Sequence, residues 1–186
     1  QQPGAPPQPG RGGGGRGGGG AIQVMTLTTP AWADGGQIPA KHAQIGEELS
    51  PPLSWSGAPE GTASFVLIVH DLDAMTNPPN DYNAPVRGTN NVLHWPVWNI
   101  PPTATGLPEG VPQGPQLPDG SRQISQTGPY YRGAGAPPTG PPHHYVFELY
   151  ALDTTINVPN TDASPAEVRA AVKAAMATHV RGKATL

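Results

Sequence analysis

The sequence predicts a mostly β fold, a sandwich of two antiparallel sheets with a short C-terminal helix, and three observations carry that expectation. Ser64 to His70, Asn91 to Ile100 and His143 to Leu152 are apolar runs of strand length. The 25 glycines and 26 prolines among 186 residues divide the rest into short pieces and exclude helix bundles and coiled coils. One segment alone, beginning at Ser164, carries a full set of helix signals. Two packed sheets are the natural way to bury runs such as FVLIV and YVFELYAL.

Residues 1–20 hold ten glycines and four prolines and nothing able to bury apolar surface, so they predict a disordered tail. Arg11 and Arg16 in their glycine runs are too few for an RNA-contacting segment. Residues 21–186 then form one domain, with a first strand expected from Ile22 through Val24 to Leu27. Ser50 to Gly57 reads as an extended piece closed by a turn, and Ser64 to His70 as a buried central strand. Residues 71–91 form a polar loop. Pro96 gives the next strand an edge position or a bulge. Residues 101–142 are mostly loop, and in His143 to Leu152 Tyr145, Phe147, Leu149 and Ala151 alternate with the opposite face. Ser164-Pro165-Ala166-Glu167 is a capping box with proline at the first helical position. Val168, Val172, Ala175, Met176 and His179 fall on one face of the helix, Gly182 supplies its stop, and it is expected to cover a sheet edge.

Charge and composition exclude several functions. Without the two tail arginines the body has eight basic against 13 acidic residues, so no nucleic-acid partner is expected. No apolar run reaches the length of a membrane span. The absence of cysteine excludes disulfides, thiolate metal sites and a cysteine nucleophile. The start at Gln1, running directly into linker sequence, predicts a secreted or periplasmic protein after signal-peptide removal, with a cytoplasmic location as the alternative.

Ionisable residues collect at the ends of the three strong strands: Asp71 and Asp73 after the first, His94 within the second, His143 at the start of the third. Neighbouring strands would bring them to one mouth, whereas singly each also fits a turn former, a core histidine or a loop residue. A two-histidine, one-carboxylate metal site lacks any HxH or HExxH spacing, and His143 and His144 should point to opposite strand faces, so no metal and no cofactor is expected. Asp71 and Asp73 would share a face if both lay on a strand, a spacing that allows an acid/base pair. No GxSxG elbow or phosphate-binding GxxxxGK[ST] loop is present. Gly133 and Gly135 offer backbone N–H groups for an anion nest.

The blocks SPPLSWSGAPEGTASFVLIVHDLDA, LHWPVWNIP, LPEGV and YYRGAGAPPTGPPHHYVFELYALD, in that order, resemble the phosphatidylethanolamine-binding protein family, and more closely its bacterial Raf-kinase-inhibitor-like branch. The similarity runs from about residue 22 to 180. It implies a two-sheet sandwich and a small pocket for phosphate-like or acetate-like anions. The family's Asp-Pro-Asp-Ala-Pro stands here as Asp71-Leu72-Asp73-Ala74-Met75, with both acids kept and both prolines replaced. Its pocket histidine falls on His94, and its Gly-x-Gly, proline and His-x-Tyr fall on Gly133, Gly135, Pro137, His143 and Tyr145. A two-fold homodimer is also implied, from bacterial relatives.

The expected function is therefore binding of a small anionic or phosphorylated ligand without turnover. His94 and His143 would donate to its oxygens, Asp71 would fix a histidine tautomer and raise its pKa, and glycine-loop amides would assist. A protein-interaction or protease-inhibitor-like module and an acid/base enzyme using the same cluster are the alternatives.

Overall fold

The computed structural model describes residues 21–75, 91–136, 139–158 and 164–186. The expected tail 1–20 and Pro137 lie outside them, as do residues 76–90 of the expected 71–91 loop; its first five residues instead continue the preceding strand to Met75, and Asn91 begins the next. Two sheets and one helix make up the fold. The larger sheet has the order β1 (Gln23–Val24), β9 (Val180–Thr185), β8 (Tyr145–Leu152), β4 (Ser64–Met75), β5 (Asn91–Ile100), β7 (Arg122–Gln123). The smaller has the order β2 (Thr26–Thr28), β3 (Leu53–Ser56), β6 (Gly106–Leu107). All pairings are antiparallel except β1 with β9, which is parallel.

The central strand β4 is buried on both faces, which is why its sequence is continuously apolar rather than alternating. Phe65, Leu67 and Val69 face the smaller sheet and pack with Leu27, Leu53, Trp55, Trp95, Phe147 and Leu149. Val66 and Ile68 face the other way, into a second core with Trp98, Leu152, Ile156, Val168, Val172 and Met176. Helix α1 (Pro165–Met176) thus covers a face of the larger sheet at its centre, not an edge. Its cap forms as the sequence predicts: Ser164 Oγ accepts from Glu167 N and the Glu167 carboxylate accepts from Ser164 N.

Three local expectations are corrected. The first apolar stretch is two strands, because the chain crosses between sheets at the buried Met25, whose N–H bonds Lys183 O. His179 lies beyond the helix and binds Asp153 at 2.7 Å. Gly182 does not stop the helix. It sits within β9, where a Cβ would come 2.7 Å from Met25 Sδ, so its missing side chain lets β1 and β9 lie close. Pro96 lies in β5 opposite Ile68, and its carbonyl accepts from Ile124 N. Its missing N–H thus falls on the β7 side, where the ladder is only two residues long. The long 101–142 connection is anchored by buried side chains: Gln123 Nε2 donates to Pro112 O and Gly114 O, its Oε1 accepts from Trp95 Nε1, and Trp55 Nε1 donates to Ala104 O.

Candidate functional site

Two irregularities at one end of the β4–β5 pair build the candidate site. Val69 pairs with Trp95 but His70 pairs with Leu93, which leaves His94 as the extra residue of a bulge. Pairing with β5 then resumes only at Met75 with Asn91, so residues 71–74 of β4 bow away from β5 while Asp71 stays paired with Tyr145 of β8. Bulges of this kind bend a strand and re-aim its side chains.

Asp71 organises the β4 bow. It is 2 % exposed. Its Oδ1 accepts from Asp73 N at 2.9 Å and Ala74 N at 3.0 Å, a side-chain-closed turn. Its Oδ2 lies 2.7 Å from His143 Nδ1. This carboxylate shapes the segment where both family prolines are replaced. Although both lie in β4, the two carboxylates do not converge, since buried Asp71 binds His143 and exposed Asp73 binds His144. Asp73 is exposed and accepts from His144 N and His144 Nδ1, which holds its carboxyl below the usual range. A paired-carboxylate site is therefore not formed, and Asp73 stands at the rim.

His94 is 3 % exposed and is held at Nδ1 by Arg132 O, 3.0 Å away, while Arg132 N donates to His94 O. Burial pushes the His94 pKa down, opposed by the Arg132 carbonyl and the charge of Asp71. Neutral His94 consequently donates Nδ1–H to the carbonyl and keeps a lone pair on Nε2. It can donate to an anion only after taking up a proton. The Tyr145 ring stands edge-on to His94 at 5.0 Å between centroids and lies 6.5 Å from His143. Burial and, further down, the charge of Asp71 raise the Tyr145 pKa, so its hydroxyl stays protonated. Asp71, His94, His143 and Tyr145 are thus gathered together from β4, β5 and the start of β8.

The two glycines act differently from the expected anion nest. Gly135 N donates to Tyr145 Oη at 2.9 Å, and Gly133 N to Glu48 Oε1 at 3.3 Å. Both amides therefore have protein acceptors. What Gly133 provides is close approach: a Cβ there would lie 2.8–2.9 Å from backbone atoms of Ala43, Gln44 and His42. Gln44 completes the clamp, with its N bonded to Ala134 O and its Nε2 to Gly133 O, each at 2.8 Å. Glu48, at φ 52°, and Gln44 were not legible as site residues, since neither belongs to a motif. Arg132 was visible only as the single cation of the YYRGAG block.

His143, Tyr145 and Gly135 also line a cleft of about 1060 Å³ whose other walls include Trp32, Ile38 and Leu72. Its rim is apolar, with Ile45 86 % exposed and Leu72 44 % exposed. Among the described residues no three His, Asp or Glu side chains converge as metal ligands, and no helix is long and apolar enough to cross a membrane.

The phosphatidylethanolamine-binding protein family model matches residues 28–186. A UPF0098 protein of Methanothermobacter thermautotrophicus is 42 % identical over 164 residues, covering 87 % of this chain and 95 % of its own. The crystal structure of Escherichia coli YbcL, described as a member of the mammalian PEBP family, superposes with a TM-score of 0.68 at 30 % identity, over 87 % of this chain and 94 % of YbcL. The phosphatidylethanolamine-binding protein homologue CT736 of Chlamydia trachomatis gives 0.67 at 32 % identity, over 88 % and 95 %. This chain belongs to the phosphatidylethanolamine-binding protein family.

Proposed function

We propose that the chain binds a small oxyanion or the phosphate group of a larger ligand between His94, His143 and Tyr145, without chemical turnover. The observation that carries this reading is the 2.7 Å Asp71–His143 pair set beside the edge-on His94–Tyr145 rings, four polar groups from β4, β5 and the start of β8 at one end of the sheet. With Nδ1–H given to Asp71, His143 can donate through Nε2 to a ligand oxygen once its imidazole carries a second proton, and the Tyr145 hydroxyl, which accepts from Gly135 N and hydrogen-bonds Asp71, closes the side of the site. The family name makes phosphate esters the first ligands to try, and the apolar cleft next to His143 suits a ligand with a greasy portion. The separation of Asp71 from Asp73 argues against paired-carboxylate hydrolysis, which needs two acids directed at one bond.

Calorimetric titration with O-phosphoethanolamine tests the reading. Saturable one-site binding that is lost in His143→Ala, with the phosphomonoester recovered intact by phosphorus NMR, is the expected result. Binding that survives loss of both His94 and His143 would instead point to the interaction-module alternative, and released phosphate would point to an enzyme.

A further inference from the structure

Arg132 has no role in the family pattern set out above, yet its backbone is built into the candidate site. It bonds His94 in both directions, N to His94 O and O from His94 Nδ1, each at 3.0 Å. Both neighbours in the chain are pinned. Tyr131, 5 % exposed, donates its hydroxyl to His42 O at 2.9 Å. Gly133 is fixed by Glu48 and Gln44 and has no room to move toward them. The guanidinium therefore starts from a rigid point beside His94.

That guanidinium is under-used. Its Nε is buried and has no hydrogen-bond partner, and no carboxylate pairs with it among the described residues. A buried donor left without an acceptor is costly, and a charged one more so, which makes such groups rare outside functional positions. Its positive charge also acts on the site, opposing protonation of His94 and lowering the Tyr145 pKa against the effect of burial. Neutral His94 and protonated Tyr145 supply no positive charge of their own, and Asp71 supplies a negative one. An anion entering the cluster before either imidazole takes up a proton therefore needs a fixed cation nearby. A guanidinium meets that need with paired N–H donors matched to two oxygens of one phosphate.

Resting on the anion-binding reading above, we propose that Arg132 makes the cationic, two-pronged contact to the bound group, and that it sets a preference for phosphate oxygens over a simple carboxylate. In this arrangement the buried Nε–H and a terminal N–H donate to two phosphate oxygens, and His143, as imidazolium, donates Nε2–H to a third.

The experiment is calorimetric titration of the full chain and its Arg132→Gln and Arg132→Lys variants. Inorganic phosphate is the free-anion probe, glycerophosphoethanolamine the lipid-head-group probe, and acetate the carboxylate control. Loss of one charge-assisted contact predicts an affinity for phosphate about 10- to 100-fold weaker in Arg132→Gln, with a smaller loss for acetate. Arg132→Lys keeps the charge without the fork and should recover only part of the loss, which a purely structural role would not produce. Whichever of the two phosphate probes binds more tightly identifies the source of the phosphate. If the parent chain binds phosphate and Arg132→Gln binds it equally well, the role of Arg132 is overturned while the binding reading stands. If the parent chain binds neither phosphate probe, the binding reading itself fails, and this role with it. Should Arg132→Gln fold poorly, the phosphate-to-acetate preference of Arg132→Lys decides, and an unchanged preference counts against the proposal.

Discussion

Asp71 and His143 meet at 2.7 Å across 72 positions of sequence, and the same carboxylate closes the turn at Asp73 and Ala74 through its other oxygen. One side chain thus shapes the rim and orients a histidine. The arrangement depends on β4 and β8 staying paired up to Asp71 opposite Tyr145, with Leu72 N still bonded to His144 O beyond it.

Replacing Asp71 by Ala leaves two backbone N–H groups without an acceptor at a site that is 2 % exposed. The expected loss is about 3 kcal/mol of unfolding free energy, read from urea denaturation. Asp73→Ala, at the exposed rim, should barely move the midpoint. Equal effects at the two positions would contradict the different roles assigned to them.

His94 gives the site a pH dependence with a definite sign. Burial lowers its pKa below the ordinary 6.5, so the free protein holds it neutral near pH 7. A bound anion favours the imidazolium, and binding must then take up protons. Affinity for sulfate, whose own charge stays constant here, should rise as pH falls from 8 to 5. The gain is largest below 6.5 and approaches about tenfold per unit if one proton is taken up. Calorimetry in buffers of different ionisation enthalpy counts those protons. A flat profile that persists in His94→Gln would remove His94 from the ligand contacts.

The sequence made the strong strands and the helix cap readable because their signals are local: apolar runs, a capping box, proline at the first helical position. The spatial gathering of Asp71, His94 and His143 was readable only through strand ends and family resemblance. What escaped were the long-range partners. The bulge at His94 exists because β4 and β5 change register, which no window around His94 encodes. Gly133 and Gly135 looked like anion donors because their acceptors, Glu48 and Tyr145, come from elsewhere in the chain. Strand β9 was hidden because Gly182, in its middle, reads locally as a helix stop.

Gly133 and Gly135 should respond differently to alanine. At Gly133 the new Cβ meets only backbone of residues 42–44, which cannot swing aside, so Gly133→Ala should cost about 2–3 kcal/mol. It should also loosen Arg132 O from His94 Nδ1, visible as a changed imidazole NMR signal. At Gly135 the Cβ meets the Gln44 amide, a flexible end that can move at the expense of its bond to Gly133 O, roughly 1 kcal/mol. Thermal unfolding of the two variants ranks them, and the reverse order would mean that the 132–135 segment is not clamped through its backbone.

On the helix-covered face of the larger sheet, Glu148 predicts how the fold fails in acid. Its carboxylate lies 3.2 Å from His70 Nε2 and 2.7 Å from Lys183 Nζ, and the side chain is 14 % exposed. The His70 bond, with Lys183 behind it, outweighs burial and lowers the Glu148 pKa from the ordinary 4.5 to about 2. A folded-state pKa depressed in this way contributes stability that is complete above about 4.5 and is lost as pH falls through the window down to about 2. After allowance for solvent screening, the contribution is roughly 2 kcal/mol. Glu148→Gln should therefore be less stable than the parent chain at pH 6, and the gap should narrow steadily between pH 4.5 and pH 2. Urea midpoints measured across that window provide the check. A gap that stays constant would mean that the loss comes from packing under α1 rather than from the ionised carboxylate.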